Sequence, residues 1–61
     1  MPRAEAQLEP ETPVEVRNRF NEEWAPGFTV ERVLPAGYTV RRVRDGAVLP
    51  LVVGPDDIRA I

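Results

Sequence analysis

The stretch whose reading decides the fold is residues 24–46, WAPGFTVERVLPAGYTVRRVRDG. It contains the only Trp and the only Tyr of 61 residues, and one of the two Phe. From residue 28 to residue 33 it alternates: Phe28, Val30 and Arg32 fall on one face, Thr29, Glu31 and Val33 on the other. A repeat of two marks a half-buried strand. Leu34-Pro35-Ala36-Gly37 reads as a turn, and residues 38–43 as the next strand. There the parities conflict. Tyr38 and Val40 share a face with Arg42, while Thr39 and Arg41 share one with Val43, which predicts a bulge or a sharp coil in that strand. Pro26-Gly27 marks a bend or bulge just after Trp24. Asp45-Gly46 between apolar runs predicts a hairpin, because Gly accepts positive φ freely.

Outward from this stretch, residues 14–20 alternate in the same way, with Val14, Val16, Asn18 and Phe20 on one face and Glu15, Arg17 and Arg19 on the other. Asn21-Glu22-Glu23 forms the turn that follows. Residues 1–12 hold Pro2, Pro10, three Glu and one large aliphatic, Leu8, too little apolar surface to offset the entropy of ordering, so they are expected to be a disordered tail or linker. Residues 47–53 read as a fourth strand, in which Pro50 must sit at an edge or a bulge because it cannot donate to a ladder. Leu49, Leu51 and Val53 share one face of it. Gly54-Pro55-Asp56-Asp57 predicts one helical turn capped by Asp56 or Asp57, with Ile58 and Ile61 pressed onto the core. A very short fifth strand over residues 59–61 is the alternative. Four or five short strands separated by turn signals argue for an all-β domain over residues 13–61, a small barrel or sandwich.

Composition excludes much. At this size a single core supplies only ~3–5 kcal/mol. Cys, His, Ser and Lys are all absent. No disulfide or thiolate zinc site can form, and the usual nucleophiles and neutral-pH base are missing. The expectation is a non-enzyme without metal or cofactor. The Glu22-Glu23 and Asp56-Asp57 pairs are explained by turn solvation and capping rather than by acid–base chemistry. No apolar run is long enough to span a bilayer, and the first residues lack the basic-then-apolar plan of a signal peptide. Absence of Cys suits the cytoplasm, where the chain is expected to act as a monomer. All eight cations are Arg, against ten acids. Residues 1–12 carry one Arg and three Glu, whereas residues 13–61 carry seven Arg and seven acids. The folded part is therefore neutral and sets up no strong field toward nucleic acid or membrane.

In its order of residues the chain resembles the Tudor-type SH3-like barrels. An apolar alternation ends in an aromatic (residues 14–20), and a polar turn leads to a Trp heading the second strand (Trp24). A turn with Asp-Gly follows the third strand (Asp45-Gly46), and the chain closes on an acidic-aliphatic-Arg sequence (Asp57-Ile58-Arg59). The resemblance covers residues 13–61. It implies a four- to five-stranded SH3-like barrel with a short C-terminal helical turn. Relatives of this type often read a methylated cation in an aromatic cage. Here Ala25 stands where an aromatic usually follows the Trp, and Arg42, Val43 or Arg44 where a later one is expected. What the resemblance implies for bacterial members is a docking module.

The partner surface expected on this reading is Trp24, Phe28 and Tyr38, with Arg41 or Arg42 as the polar contributor, and its ligand is a protein or another domain of a longer chain. Two rivals stand beside it. One is nucleic-acid binding through Arg17, Arg19, Arg41 and Arg44, where guanidinium groups beside rings would take a single strand. The other is a self-associating barrel, in which Pro50 and the edge it implies leave strand four or strand one open for pairing. For the Arg-rich faces the ordinary alternative is cross-strand pairing with Glu; for Trp24 it is a lid over one end of the barrel.

Overall fold

The structure, a computed structural model, describes residues 8–61. The described residues are all-β: four antiparallel strands form one sheet in the order β3-β2-β1-β4. These are β1 (Pro13–Asn18), β2 (Glu23–Leu34), β3 (Gly37–Arg42) and β4 (Ile58–Ala60), with a single 3-10 turn at Pro55–Asp57. The architecture is consistent with a small SH3-like fold.

The long β2 strand organises the sheet. Rather than starting at Phe28 it starts at Glu23 and runs through Pro26-Gly27 without a break. Val14 lies opposite Phe28 and Val16 opposite Ala25, so Glu15 faces both Pro26 and Gly27. That is the expected bulge, and Gly27 takes a φ of 99° to form it. The second bulge is also on β2. Val30 pairs with Val40 but Arg32 with Thr39, leaving Glu31 as the extra residue. The bulge expected in residues 38–43 is absent from β3: the parity conflict disappears because β3 ends at Arg42 and Val43, beyond it, is exposed. Tyr38 and Val40 both point inward, as their spacing requires.

Each tight connection has a local cause. Asn18 ends β1 because its Oδ1 accepts a hydrogen bond from the Phe20 N–H (2.8 Å), and Asn21 does the same for Glu23 N–H (3.1 Å). The strand therefore stops before Phe20, which never reaches the inward face and is 99% exposed. Pro35-Ala36 joins β2 to β3, with Leu34 opposite Gly37. Gly37 is required there, because a Cβ at this position would collide with the Val53 carbonyl oxygen. Gly46, at φ 75°, closes the next turn, as Asp45-Gly46 predicted, and its N–H donates to the Arg42 carbonyl at 2.7 Å.

Residues 47–53 do not form the continuous fourth strand expected of them. They meet β3 only at Arg41–Val48 and Tyr38–Val53. Between those bridges the backbone bows away around Pro50, which has no N–H to give. Leu49 and Val53 turn inward; Leu51, expected on the same face, is exposed. The C-terminal strand is real, but over Ile58–Ala60 beside β1. Ile58 is buried there, whereas Ile61 is exposed and does not press on the core. The chain thus carries β3's edge across to β4 and joins the two ends of the sheet. Inside lie Val14, Val30, Tyr38, Val40, Val53 and Ile58, with Leu8, Val16, Phe28, Val33 and Leu49 packed around them.

Of the stretch assigned to a tail, residues 1–7 lie outside the described residues. Residues 8–12 run along the domain. Glu11 N–H donates to the Val30 carbonyl (2.8 Å) and Val30 N–H to the Thr12 carbonyl (3.0 Å), while Leu8 N–H reaches the Tyr38 hydroxyl at 3.1 Å. Among the described residues no helix is long and apolar enough to cross a membrane.

Candidate functional site

The inward set on β1 leaves Glu15 and Arg17 facing out. Paired residues of antiparallel strands share a face. Trp24, opposite Arg17, and Arg59, opposite Glu15, therefore join them on the outer side of β2-β1-β4. The Arg59 guanidinium carbon sits 4.0 Å from the centroid of the Trp24 ring and that of Arg17 5.6 Å away. Both lie within the range where a cation is drawn to the electron-rich face of an indole. Arg59 is itself fixed by Glu15, its Nε donating to Oε1 at 2.7 Å. Trp24 is half-buried by these neighbours and is not part of the hydrophobic core.

Arg17 also reaches the C-terminal turn. Its Nε and Nη2 donate to Asp57 Oδ1 at 3.0 and 2.9 Å, and Arg19 Nη1 donates to Oδ2 at 2.9 Å. Both Asp57 oxygens are taken up this way, and its side chain keeps only 11% of its exposure. A carboxylate this enclosed is tolerable because both oxygens meet charged donors. Neither Asp56 nor Asp57 caps the turn: Gly54 occupies the cap position with no side-chain hydrogen bond. The expected capping role is replaced by an arginine acceptor. Sequence reading could not find this, since Asp57 lies 40 residues from Arg17. The only hint was the excess of Arg on residues 17 and 19.

Between the end of β1 and the bowed segment lies an open groove of about 470 Å³. Val16, Leu49, Leu51 and Val52 supply its apolar surface, and Arg17, Arg19 and Asp57 its charged rim. The groove exists because Pro50 forces the backbone off β3 and so leaves Leu51 and Val52 with no strand to cover them.

Of the expected partner residues only Phe28 and Arg42 are brought together, as cross-strand neighbours; the others lie apart from them. Trp24 is on the outer face. Phe28, opposite the inward Val14, packs against the core from the other side of the sheet. Tyr38 is a core residue, 5% exposed. Arg41 faces outward opposite Thr29 and lies 3.9 Å from Glu11. Arg42 is held in a bidentate pair by Asp45 at 3.0 and 2.9 Å. That pair and the Ala47 N–H, which also donates to Asp45, pull the Asp45 carboxyl down to about 2 and raise Arg42. Of the residues proposed for nucleic acid, Arg17 and Arg19 share Asp57, while Arg41 and Arg44 lie on and just after β3, across β2 from them. Cross-strand pairing accounts for Arg59 with Glu15, and Thr39 Oγ1 donates to Glu31 at 2.6 Å. Among the described residues no cluster of carboxylates is placed to hold a metal.

Compared with known proteins, the chain matches no family model and no curated protein.

Proposed function

We propose that the chain is a non-enzymatic docking module of Tudor-like type, which binds a protein partner through its outer Trp24 face in the cytoplasm. The observation that carries this reading is the position of Trp24. The chain's one indole stands on the solvent side of the sheet, stacked with Arg59 and Arg17, rather than in a core built from Val, Ile and Tyr. Trp and Arg are the residues most enriched at binding hot spots, and their stacked groups present a flat surface that is apolar in the middle and charged at its rim. Lack of Ser, Cys, His and Lys supports the non-enzymatic part of the reading, and lack of Cys the cytoplasmic part. The ring face that a methylated cation would use is covered by the chain's own Arg59, so an unmodified protein surface suits the site better.

Nucleic acid has less support, because Asp57 offsets one of the two charges on Arg17 and Arg19 and residues 13–61 are neutral. The experiment is affinity capture from source-cell lysate with wild type and folded Trp24→Ala as baits, reading out protein and nucleic acid. A protein captured by wild type and lost with Trp24→Ala is the expected result. Identical captures from both baits would remove Trp24 from the site, and nucleic acid released by salt from wild type alone would replace the reading with its rival.

A further inference from the structure

Among the described residues six large apolar side chains are exposed, Phe20, Val43, Val48, Leu51, Val52 and Ile61, as many as form the buried core. A domain this small, with no disulfide, gains most from covering such groups. Phe20 is the extreme case. It follows Arg19, a wall of the groove, yet at 99% exposure its ring is left in solvent. Next in the chain come Asn21, Glu22 and Glu23, and neither glutamate has an ion pair among the described residues. The turn therefore offers an aromatic ring followed by two unpaired carboxylates. The groove has the opposite plan: an apolar floor at Leu51 and Val52, and two guanidinium groups against the single Asp57 carboxylate. Arg19 is 71% exposed and keeps donors free for a second acid.

From this complementarity we infer that the groove receives Phe20 from a second copy of the chain, with Glu22 or Glu23 meeting Arg19, in a reciprocal two-fold pair. Because turn and groove lie side by side, one two-fold axis between them lets both contacts form at once. The surface is distinct from the outer Trp24 face, although Arg17 borders both, and the pairing does not depend on what that face binds. The groove borders the Pro50 segment, but the contact is insertion of a ring rather than the strand pairing that the sequence offers there, and it replaces the expected monomer with a reversible dimer.

The test is sedimentation of the 61-residue chain over a concentration series into the millimolar range. Wild type should show a reversible monomer–dimer equilibrium. Phe20→Asp and Leu51→Asp should each raise the dimer Kd by about tenfold or more. Mixing the two variants should recover part of the association, because the mixed pair, unlike either variant alone, keeps one of the two contacts, with an intact Phe20 facing an intact groove. Circular dichroism verifies that each variant is folded; Phe20→Ser and Val52→Glu stand in for either one that is not. The inference is overturned by a wild type that stays monomeric throughout, by open-ended oligomers, by a folded Phe20 variant with unchanged association, or by a mixture that recovers no association.

Discussion

Asp57 and Asp45 are both carboxylates gripped by arginine, and they sit in two regions of very different character. Asp45 is paired with Arg42 three residues away, in an exposed turn. The contact is local, forms as soon as the turn does, and shapes only the return of the chain at residues 43–46. Asp57 is paired with Arg17 and Arg19, 40 and 38 residues away, and is nearly enclosed. Its contacts exist only when the C-terminal turn lies against the end of β1. The same chemistry thus decorates a turn in one region and closes the sheet in the other. Loop closure and desolvation make the second contact costly to form and costly to lose, whereas the first is screened by water.

The largest effect expected from this contrast is for Asp57→Ala. It leaves half-buried Arg17 with only the Asp56 carbonyl, at 3.4 Å, as an acceptor and should cost about 3 kcal/mol, the low end for broken enclosed pairs. That is most of what a domain of this size has, so urea titration followed by circular dichroism should find the variant largely unfolded. Gly37→Ala attacks the same closure sterically, by pushing a methyl against the Val53 carbonyl. A loss of about 2–3 kcal/mol is expected in the same assay. Arg19→Ala should cost less than about 1 kcal/mol, since Arg19 is mostly exposed and Arg17 still holds Oδ1.

The smallest effect belongs to Asp45→Asn, and it should depend on pH. The folded-state pKa of Asp45 is lowered from 3.8 to about 2. Its stabilisation is therefore fully present above the unfolded value and lost as pH falls through about 2. Wild type and Asp45→Asn should differ by a constant amount above about pH 4 and converge near pH 2, as read from unfolding curves at several pH values. A variant difference that persisted unchanged at pH 2 would mean that the Arg42 pair is not its source.

The elements legible in the sequence were those set by neighbours along the chain. Alternation placed Val14, Val16 and Val30 inward, Pro26-Gly27 marked a bulge, and Asp45-Gly46 marked the turn after β3, though no continuous strand follows it. What could not be read were choices between partners far apart. Proximity in sequence suggested that Asp57 would cap its own turn, but two arginines at the far end of β1 took it instead. Phe20 continued the alternation of β1, yet a side-chain turn at Asn18 ended the strand first. Pro50 announced an irregularity without revealing that the whole segment would leave β3 and open a groove. Trp24 was the ambiguous case, because its face depends on the register of β2 across the bulge. Phe28, Tyr38 and Arg42 cluster with it in sequence but not in space.

The most direct test is the unfolding free energy of Trp24→Ala, followed by circular dichroism because the variant has no other Trp. A surface indole held by Arg59 and Arg17 predicts a folded variant that has lost about 1–2 kcal/mol, the scale of two partly exposed cation–ring contacts. A loss of about 3–5 kcal/mol, the cost of removing a core aromatic, would leave the domain unfolded, make Trp24 the lid of the core, and contradict a docking face built around it.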